Sequence, residues 1–513
     1  MNKILIEKNR YVDSVTLMGI GEKVKELDGI KYAEAQMATP ANIEIIESLG
    51  FEIPENISSN DLILAVSGNT QENIDGAMQM IRNILDGKYN NEDSRVYKSL
   101  DDIDQDEDPY DLVQISLPGE YAYAEAKKAL EKGLDVFIFS DNVPIEEELE
   151  LKQFAQGKGL IVMGPDSGVG LIGGVTLAAG SIIRKGPVGI VAASGSGAQE
   201  IACIIEKCGY GVSSIIGTGG RDLYPQIGGL SMIQGIKRLE ADEETSVIVL
   251  VSKLADLNVM KKVLTTADDV SKPVIAVFLG GNESLFEGHK VMGAFNLEEA
   301  ALKAISLLSG KSVEFGLSDE EINNIVSNET IRYNPEQKYL RSLYCGGTFT
   351  EESLIYYYEN NKGVTLYSNL DNRYTIKLSS HLESKGHTIL DLGSEDFTST
   401  APHPIFDPEI RLKRFKQELQ DPRVAVIILD FIAGPGVHFD PITPFVNAYL
   451  ESKKNTANYV TIIASVCGSL EDPQNVTAKE KLLKDAGVIL TKSNYQSARL
   501  SSALLAELER RNS

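Results

Sequence analysis

The chain is poor in cysteine and in positive charge. Its 49 Lys and Arg are outnumbered by 74 Asp and Glu, which gives a formal charge of −25. A surface of that sign repels phosphate backbones and argues against a nucleic-acid partner. No apolar run approaches the roughly 18 residues that a membrane span needs, and MNKILIEKNR has too short an apolar stretch for a secretory signal. We therefore expect neither nucleic acid nor a membrane as partner.

Four cysteines without CxxC spacing in 513 residues argue against a disulfide scaffold and against a zinc site. Cys203 and Cys208 lie on one predicted helix, a position typical of core-filling thiols. We therefore expect a reducing, cytoplasmic compartment and no bound metal.

The length predicts about three domains, and the hydrophobic patterning predicts an α/β protein. Short strands and helices alternate in the first 86 residues, including a predicted helix over 40–49. From Tyr110 onward, continuous apolar strands alternate with amphipathic helices, which predicts parallel sheets covered on both faces. The predicted boundaries are 1–86 for a small N-terminal α/β module, 87–109 for an acidic linker, 110–185 for a Rossmann-like domain, 186–310 for a flavodoxin-like domain, 311–337 for a polar linker and 338–513 for a second flavodoxin-like domain.

In PVGIVAASGSGAQEIACII a buried strand leads through a glycine-rich turn directly into a helix. Such a turn brings backbone N–H groups close to an anion, and the helix start adds positive potential. The turn has neither the Gly-Lys-Ser/Thr ending of a P-loop nor the GxGxxG pattern of dinucleotide binding, and plain packing is the alternative interpretation. The candidate phosphate ligands here are Ser194, Gly195, Ser196, Gly197 and Gln199.

Two further turns follow predicted strands, and ligands of open α/β sheets bind at the carboxyl ends of strands. SSIIGTGGRD supplies Gly217, Gly219, Gly220, Arg221 and Asp222. Arg221 is suited to bidentate binding of an oxyanion with Asp222 orienting it, although a structural Arg–Asp pair is the alternative. MGPDSGVG supplies Gly164, Pro165 and Asp166, which either contact the acyl part of a ligand or only end a strand. We favour one ligand site formed by these loops.

The last block opens with LYCGGTFTEE, where Gly346, Gly347 and Thr348 are candidates for holding an anion. Its later loops contain His403 with Asp407, and His438 with Asp440 after Gly434 and Gly436. A His–Asp pair acts as an acid–base pair or as metal ligands, whereas Asp-Pro is also a common turn starter. Recurrence at one sheet edge favours a binding role.

GPVGIVAASGSGAQE, IGTGGRDLYPQIGG, MGPDSG, LYCGGTFTEE, APHPIFDP and AGPGVHFDP, with the opening DSVTLM and MATPAN, resemble the FdrA family of acyl-CoA synthetase-like proteins. The resemblance covers nearly the whole chain, in order. The family is distantly related to the succinyl-CoA synthetase α subunit. The resemblance implies that 110–185 is a CoA-binding-type domain and that 186–310 and 338–513 are ligase-type domains.

The resemblance also implies roles for individual residues. Ser194 and Gly195 would occupy the phosphate loop, Gly217, Gly219 and Gly220 the next loop, and Glu200 would orient a phosphohistidine. The phosphohistidine motif Gly-His-Ala-Gly is replaced by GGNESLFEGHKVMGAF, so we expect His289 to be a surface-loop residue. Residues 1–85 lack the glycine-rich CoA loop, and an ATP-grasp domain is missing.

The implied function is that of an oxamate carbamoyltransferase subunit, which converts oxalurate and phosphate to oxamate and carbamoyl phosphate in anaerobic allantoin breakdown. Arg221 would then help to stabilise the transition state, and the chain would act in an oligomer with other subunits. One alternative is an acyl-CoA synthetase subunit that binds CoA or acyl-CoA and uses a partner's ATP-grasp domain. Another is a non-catalytic metabolite-binding scaffold. An NAD-dependent dehydrogenase is disfavoured because a GxGxxG strand–helix turn is missing.

Overall fold

A computed structural model describes residues 2–12, 14–25, 27–39, 42–43, 46–47, 50–54, 56–86, 99–103, 109–399, 401–455 and 458–512. The chain divides into two compact units, Met1–Pro109 and Tyr110–Ser513. Most of the predicted acidic linker and of the predicted helix over 40–49 lies outside the described residues.

The first unit contains an antiparallel sheet of three described strands in the order β1-β3-β2. Its elements are β1 (Asn2–Glu7), α1 (Ser14–Lys25), β2 (Ile30–Met37), β3 (Leu62–Gly68) and α2 (Gln71–Leu85). The central strand β3 is buried on both faces because α1 and α2 cover one face, and Ile46 and Phe51 pack against the other. A short 3-10 turn, Leu100–Asp102, follows later in the unit.

The second unit begins with a small parallel sheet in the order β4-β5-β6. It is built from β4 (Leu112–Ile115), α3 (Gly119–Glu131), β5 (Asp135–Ile138), α4 (Ile145–Lys158) and β6 (Val162–Met163). Phe137, Ile161 and Met163 pack into the hydrophobic core of the next sheet, which joins the two sheets.

The first large sheet has the order β13-β12-β11-β9-β10-β7-β8. Its strands are β7 (Val169–Ile172), β8 (Val175–Ala178), β9 (Lys185–Ala192), β10 (Val212–Gly217), β11 (Val247–Lys253), β12 (Val274–Leu279) and β13 (Met292–Ala294). The helices are α5 (Gly195–Lys207), α6 (Leu230–Ala241), α7 (Leu257–Asp268) and α8 (Leu297–Ser309). The strands β9 to β13 are parallel, and the hairpin β7–β8 joins them antiparallel. This hairpin lies N-terminal to the predicted boundary at 185.

The second large sheet has the order β16-β15-β17-β14-β18-β19-β20, and its strand pairs are all parallel. Its strands are β14 (Tyr339–Tyr344), β15 (Leu366–Ser368), β16 (Ile376–Lys377), β17 (His387–Asp391), β18 (Val424–Ile432), β19 (Thr461–Cys467) and β20 (Ile489–Thr491). Its helices are α10 (Gly347–Asn360), α11 (Glu395–Thr398), α12 (Glu409–Gln420), α13 (Thr443–Asn455), α14 (Val476–Asp485) and α15 (Asn494–Asn512).

The two large sheets share one continuous hydrophobic core. This core includes residues of both sheets and of the helices α5, α8, α10 and α15. The predicted polar linker over 311–337 is more ordered than expected, because it contains α9 (Asp319–Thr330). Ser318 and Glu321 form a capping box at the start of α9, and Arg499 on α15 pairs with Asp319 at 2.5 Å. This stretch therefore packs against α15, a helix of the second large sheet.

The predicted fold class is confirmed: the chain is an α/β protein with parallel sheets flanked by helices. Among the described residues, no helix has both the length and the apolar character needed to cross a bilayer.

Candidate active site at the facing helix N-termini

The first glycine turn of one large sheet meets the corresponding turn of the other. Ser194 is the N-cap of α5, and its Oγ accepts a hydrogen bond from the Gly197 N–H at 3.1 Å. The same Oγ lies 2.6 Å from Oγ1 of Thr348, in the first turn of α10. Because each helix start carries partial positive charge, this contact concentrates positive potential from two helices at one place.

The predicted convergence of the glycine loops is seen in the packing of the residues around Gly219. Gly219 has φ +81°, and a methyl group there would collide with the Pro165 carbonyl oxygen. A methyl group on Gly195 would lie 3.5 Å from Val169, which follows the MGPDSG turn. The loops at 164–166, 194–197 and 217–220 therefore lie against one another, and Thr348 joins them from the second sheet.

Asp166 lies at the open side of these loops and has φ +57°. Its side chain reaches solvent, yet surrounding protein atoms and nearby Asp141 raise its pKa to about 6, while the charge of Arg221 opposes that rise. Arg221 itself pairs with Glu148 at 2.9 Å and donates to the Val143 carbonyl oxygen at 2.7 Å. Arg221 is thus beside the loops but anchored to α4.

Asp222 does not orient Arg221. It is fully buried, accepts from Lys152 at 2.8 Å and also accepts the Ser231 and Met232 N–H groups at the start of α6. The buried Lys152 ammonium requires counter-charges, and Asp222 and Glu148 supply them at 2.8 Å each. Its role is structural, which corrects the predicted Arg–Asp arrangement.

The turn between β14 and α10 is held by Asp430, which accepts the Cys345 and Gly346 N–H groups at 2.9 Å each. Arg411 pairs with the same carboxylate at 2.8 Å. No side chain caps α10 at its N-cap residue, Gly346. The bonds to Asp430 therefore fix the backbone conformation of this turn. The N–H groups in the first turn of α10 receive no hydrogen bond from the side chain of the N-cap residue.

Two charged residues that are not among the predicted site residues, Lys253 and Asp391, lie beside Gly347. Lys253 ends β11 and Asp391 ends β17. Burial raises the pKa of Asp391 to about 6, and the Lys253 charge opposes this rise. Both residues interrupt apolar strands at their carboxyl ends, so the strand-end rule used for the glycine loops would have found them.

The two predicted His–Asp pairs are turns. Asp407 accepts the Glu409 N–H with its carboxylate, and its own N–H donates to the His403 carbonyl oxygen. His438 Nδ1 accepts from the Asp440 N–H, and the Asp440 carboxylate pairs with Lys479 at 2.7 Å. Neither carboxylate is therefore placed as the acid–base partner of its histidine.

His403 nevertheless lies near the α10 turn. A methyl group on Gly393 would collide with its Nε2 and would lie 2.7 Å from the Cys345 carbonyl oxygen. Burial lowers the pKa of His403 to about 4, so the imidazole is neutral at pH 7. Gly434 and Gly436 serve a different purpose, since methyl groups there would press on the backbone of Ala178–Gly180.

The Glu200 and Gln199 side chains bond to residues outside the glycine loops at 164–166, 194–197 and 217–220. Glu200 is 2 % exposed, its carboxylate accepts the Asn494 N–H at 2.8 Å, and burial raises its pKa. Gln199 donates to Ser181 Oγ at 2.8 Å and to the Ala433 carbonyl oxygen at 2.7 Å. Both side chains link α5 to the second sheet and its loops, which leaves Glu200 no direct role in orienting a phosphorylated histidine.

His289 lies at the opposite edge of the first large sheet. It comes just before β13 and pairs through Nδ1 with Asp268 at the end of α7, at 2.6 Å. In a parallel sheet, the segment before a strand and the end of the preceding helix lie at the amino edge, whereas Ser194 lies at the carboxyl edge. The prediction of a surface-loop histidine agrees with this position.

Ser140 is a buried polar group near the Asp166 turn. It follows β5, its carbonyl oxygen accepts the Asp166 N–H at 2.9 Å, and the residue as a whole is 8 % exposed. Among the described residues, its Oγ has no hydrogen-bond partner. An orphaned buried hydroxyl at a strand end is suited to binding a ligand's polar group.

Three family models match the chain. One described as CoA-ligase matches residues 343–504, one described as CoA binding domain matches 183–280, and one described as AllF, heavy metal-associated domain, matches 1–99. The CoA-binding match falls on the stretch predicted as the first ligase-type domain, so the predicted domain types stay open. No cysteine or histidine occurs before Cys203, so residues 1–99 contain no thiolate or imidazole that could bind a metal.

Individual relatives extend the comparison. Uncharacterized protein YahF of Escherichia coli (strain K12) is 37% identical and covers 99% of this chain and 99% of its own. Succinate–CoA ligase [ADP-forming] subunit alpha of Methanothermobacter thermautotrophicus is 25% identical over 42% of this chain and 73% of its own. The crystal structure of PH0766 from Pyrococcus horikoshii OT3 is 18% identical, covers 82% of this chain and 88% of its own, and has a TM-score of 0.34. Because identity with YahF extends over nearly the whole length of both chains, this protein belongs to the FdrA family of acyl-CoA synthetase-like proteins.

Proposed function

We propose that this chain is the subunit of a transferase that moves a carbamoyl or related acyl group to and from phosphate, with the phosphate bound between the starts of α5 and α10. The observation that carries the proposal is the 2.6 Å contact of Ser194 with Thr348. Two helix N-termini from two sheets meet there, and such ends bind phosphate through backbone N–H groups. This arrangement suits a small anion even in a chain with a formal charge of −25.

The position of His289 supports transfer without a phosphorylated histidine. Its ring pairs with Asp268 at the amino edge of the sheet, so a phosphoryl group held near Ser194 would have to cross the sheet to reach it. The conversion of oxalurate and phosphate to oxamate and carbamoyl phosphate needs neither nucleotide nor CoA. Fixed N–H groups at the helix starts would stabilise the negative charge that develops on the attacked carbonyl oxygen.

The proposal includes partner subunits and a cytoplasmic location. The chain resembles a protein whose name describes it as a subunit, the succinate–CoA ligase subunit alpha. Residues that complete the acceptor site would then come from a partner. Purine breakdown as the pathway remains part of the same proposal.

An acyl-CoA synthetase subunit is the second candidate, favoured by the CoA-binding match over 183–280 and by the buried Ser140 hydroxyl. CoA would supply the thiol that accepts the acyl group. Ser140 and the 164–166 turn would hold part of the cofactor, and Asp166, with its pKa of about 6, would exchange a proton at the open side.

Calorimetric titration of the purified chain with carbamoyl phosphate, phosphate and CoA separates the two candidates. The proposal expects heat from carbamoyl phosphate and phosphate but none from CoA. Ser194→Tyr should abolish phosphate binding because the ring fills the space beside Thr348. Ser318→Tyr is the matched control, since Ser318 caps α9. Binding of CoA alone would overturn the transferase proposal and favour the synthetase.

A further inference from the structure

Gly347 leaves a gap at the start of α10. A methyl group there would lie 2.9 Å from Asp391 Oδ2 and 3.8 Å from Lys253 Nζ. The carboxyl and the ammonium therefore flank one point beside the first turn of the helix. They come from different sheets, because Asp391 ends β17 and Lys253 ends β11. Any side chain at position 347 would occupy this gap.

Lys253 and Asp391 do not form an ion pair with each other. Lys253 pairs with Glu351 on α10 at 3.0 Å, and its side chain is 42% exposed. Asp391 Oδ1 accepts the Gly393 N–H at 2.9 Å, which leaves Oδ2 towards Gly347. The exposed ammonium of Lys253 and the buried carboxyl of Asp391 thus lie beside a helix N-terminus that has no side-chain cap. The ammonium and the helix start are suited to binding an anion, and the carboxyl is suited to accepting and donating a proton.

We propose, on the basis of the function proposed above, that Lys253 binds the phosphate at the start of α10 and that Asp391 is the catalytic residue that relays its proton. In the step, a hydrogen phosphate oxygen attacks the carbamoyl carbon of the ureido substrate and forms the new C–O bond. The C–N bond to the rest of the substrate breaks. Asp391 Oδ2 takes the phosphate hydroxyl proton and passes it to the leaving nitrogen. The products are carbamoyl phosphate and an amide, and Asp391 is ionised again.

The groups around Asp391 set its proton affinity. Burial raises its pKa, Lys253 lowers it, and the charges of Asp430 and Glu351 raise it, with the result near 6. The neutral His403 ring lies against Gly393, whose N–H donates the hydrogen bond to Asp391 Oδ1. A pKa close to the working pH favours a group that both accepts and donates a proton.

Phosphate titrations of the full-length chain test Lys253. Lys253→Met should weaken phosphate binding at least tenfold, and Gly347→Ala should do the same by filling the gap without altering charge. Lys303→Met is the matched control, because Lys303 makes a similar pair with Glu299 at 2.7 Å and is 37% exposed. Unchanged affinity in Lys253→Met, when the unaltered chain binds phosphate, would overturn this assignment and leave the proposed function standing. An unaltered chain that binds no phosphate would overturn both.

Asp391→Asn tests the proton relay in the chain assembled with its partner subunits. Asparagine keeps an acceptor for the Gly393 N–H and removes a negative charge from beside the anion, so phosphate affinity should not fall. Carbamoyl transfer should fall at least a hundredfold, and the loss of rate that we expect for the unaltered protein below about pH 6 should disappear. Wild-type turnover in Asp391→Asn would remove Asp391 from the mechanism.

Discussion

The two large sheets share five strands in one order, β13-β12-β11-β9-β10 and β20-β19-β18-β14-β17, but they equip the same turn differently. Glu200 and Glu352 each lie six residues after the N-cap of their helix, Ser194 or Gly346. Each also accepts the N–H of the first residue in the last helix of the other half, Asn494 or Leu297, at 2.8 Å. The halves are thus joined by a reciprocal pair of contacts.

The chemistry of the turns is unequal. In the first half, Gly217 pairs in register with Ala192, which lies two residues before the N-cap of α5. In the second half, Asp391 pairs with Tyr344, which lies two residues before the N-cap of α10. A glycine in the first half therefore corresponds to an aspartate in the second. By the same register, Val251 corresponds to Asp430. At these two positions the first half has uncharged residues, Gly217 and Val251, whereas the second half has the carboxylates of Asp391 and Asp430. A joint site therefore needs both halves, and variants at matched positions measure the contribution of each.

The largest expected effect is on the buried charge of the second half. Arg411→Met leaves the Asp430 carboxylate buried without its counter-charge, and we expect a loss of about 3–5 kcal/mol in the free energy of unfolding. Urea denaturation followed by circular dichroism measures it, since the chain has no tryptophan. Val251→Ala, at the matched position, should cost only about 2 kcal/mol. Equal losses in the two variants would show that charge does not distinguish the turns.

A smaller effect concerns the reciprocal glutamates. Burial among Glu200 and Glu298 raises the pKa of Glu352 from 4.5 to about 8. The unfolded chain releases this proton first as pH rises, so the folded state loses stability between about pH 4.5 and 8. Glu352→Gln should therefore stabilise the protein by about 2 kcal/mol at pH 7 and have little effect at pH 4.

Thermal unfolding of Glu352→Gln across this pH range gives the measurement, and Glu200→Gln is its counterpart in the other half. Burial raises the pKa of Glu200 as well, so its variant should show the same direction. A Glu352→Gln protein whose stability follows the unaltered pH profile would mean that Glu352 is ionised in the folded protein.

Much of this arrangement was accessible from the sequence, because apolar strands and glycine turns follow local rules. The α/β class, the glycine turns and the convergence of Ser194 with Gly219 at one sheet edge are of this kind. The pairing of Arg221 with Glu148 and of Asp222 with Lys152 was not accessible, since each bond joins residues about 70 positions apart. The strand-end rule identifies Lys253 and Asp391 one at a time, but their proximity depends on the contact of two sheets, which no local pattern encodes.

The smallest expected effect separates the helix cap from the contact between halves. Ser194→Ala removes both the bond from the Gly197 N–H and the contact with Thr348, and we expect it to cost about 1 kcal/mol. Thr348→Val keeps the cap and the shape but loses the contact, which should cost about half as much. Because α10 has no side-chain cap, its own helix start loses nothing in either variant. A loss in Thr348→Val as large as that in Ser194→Ala would place the stabilisation in the contact between the sheets and leave the cap without measurable effect.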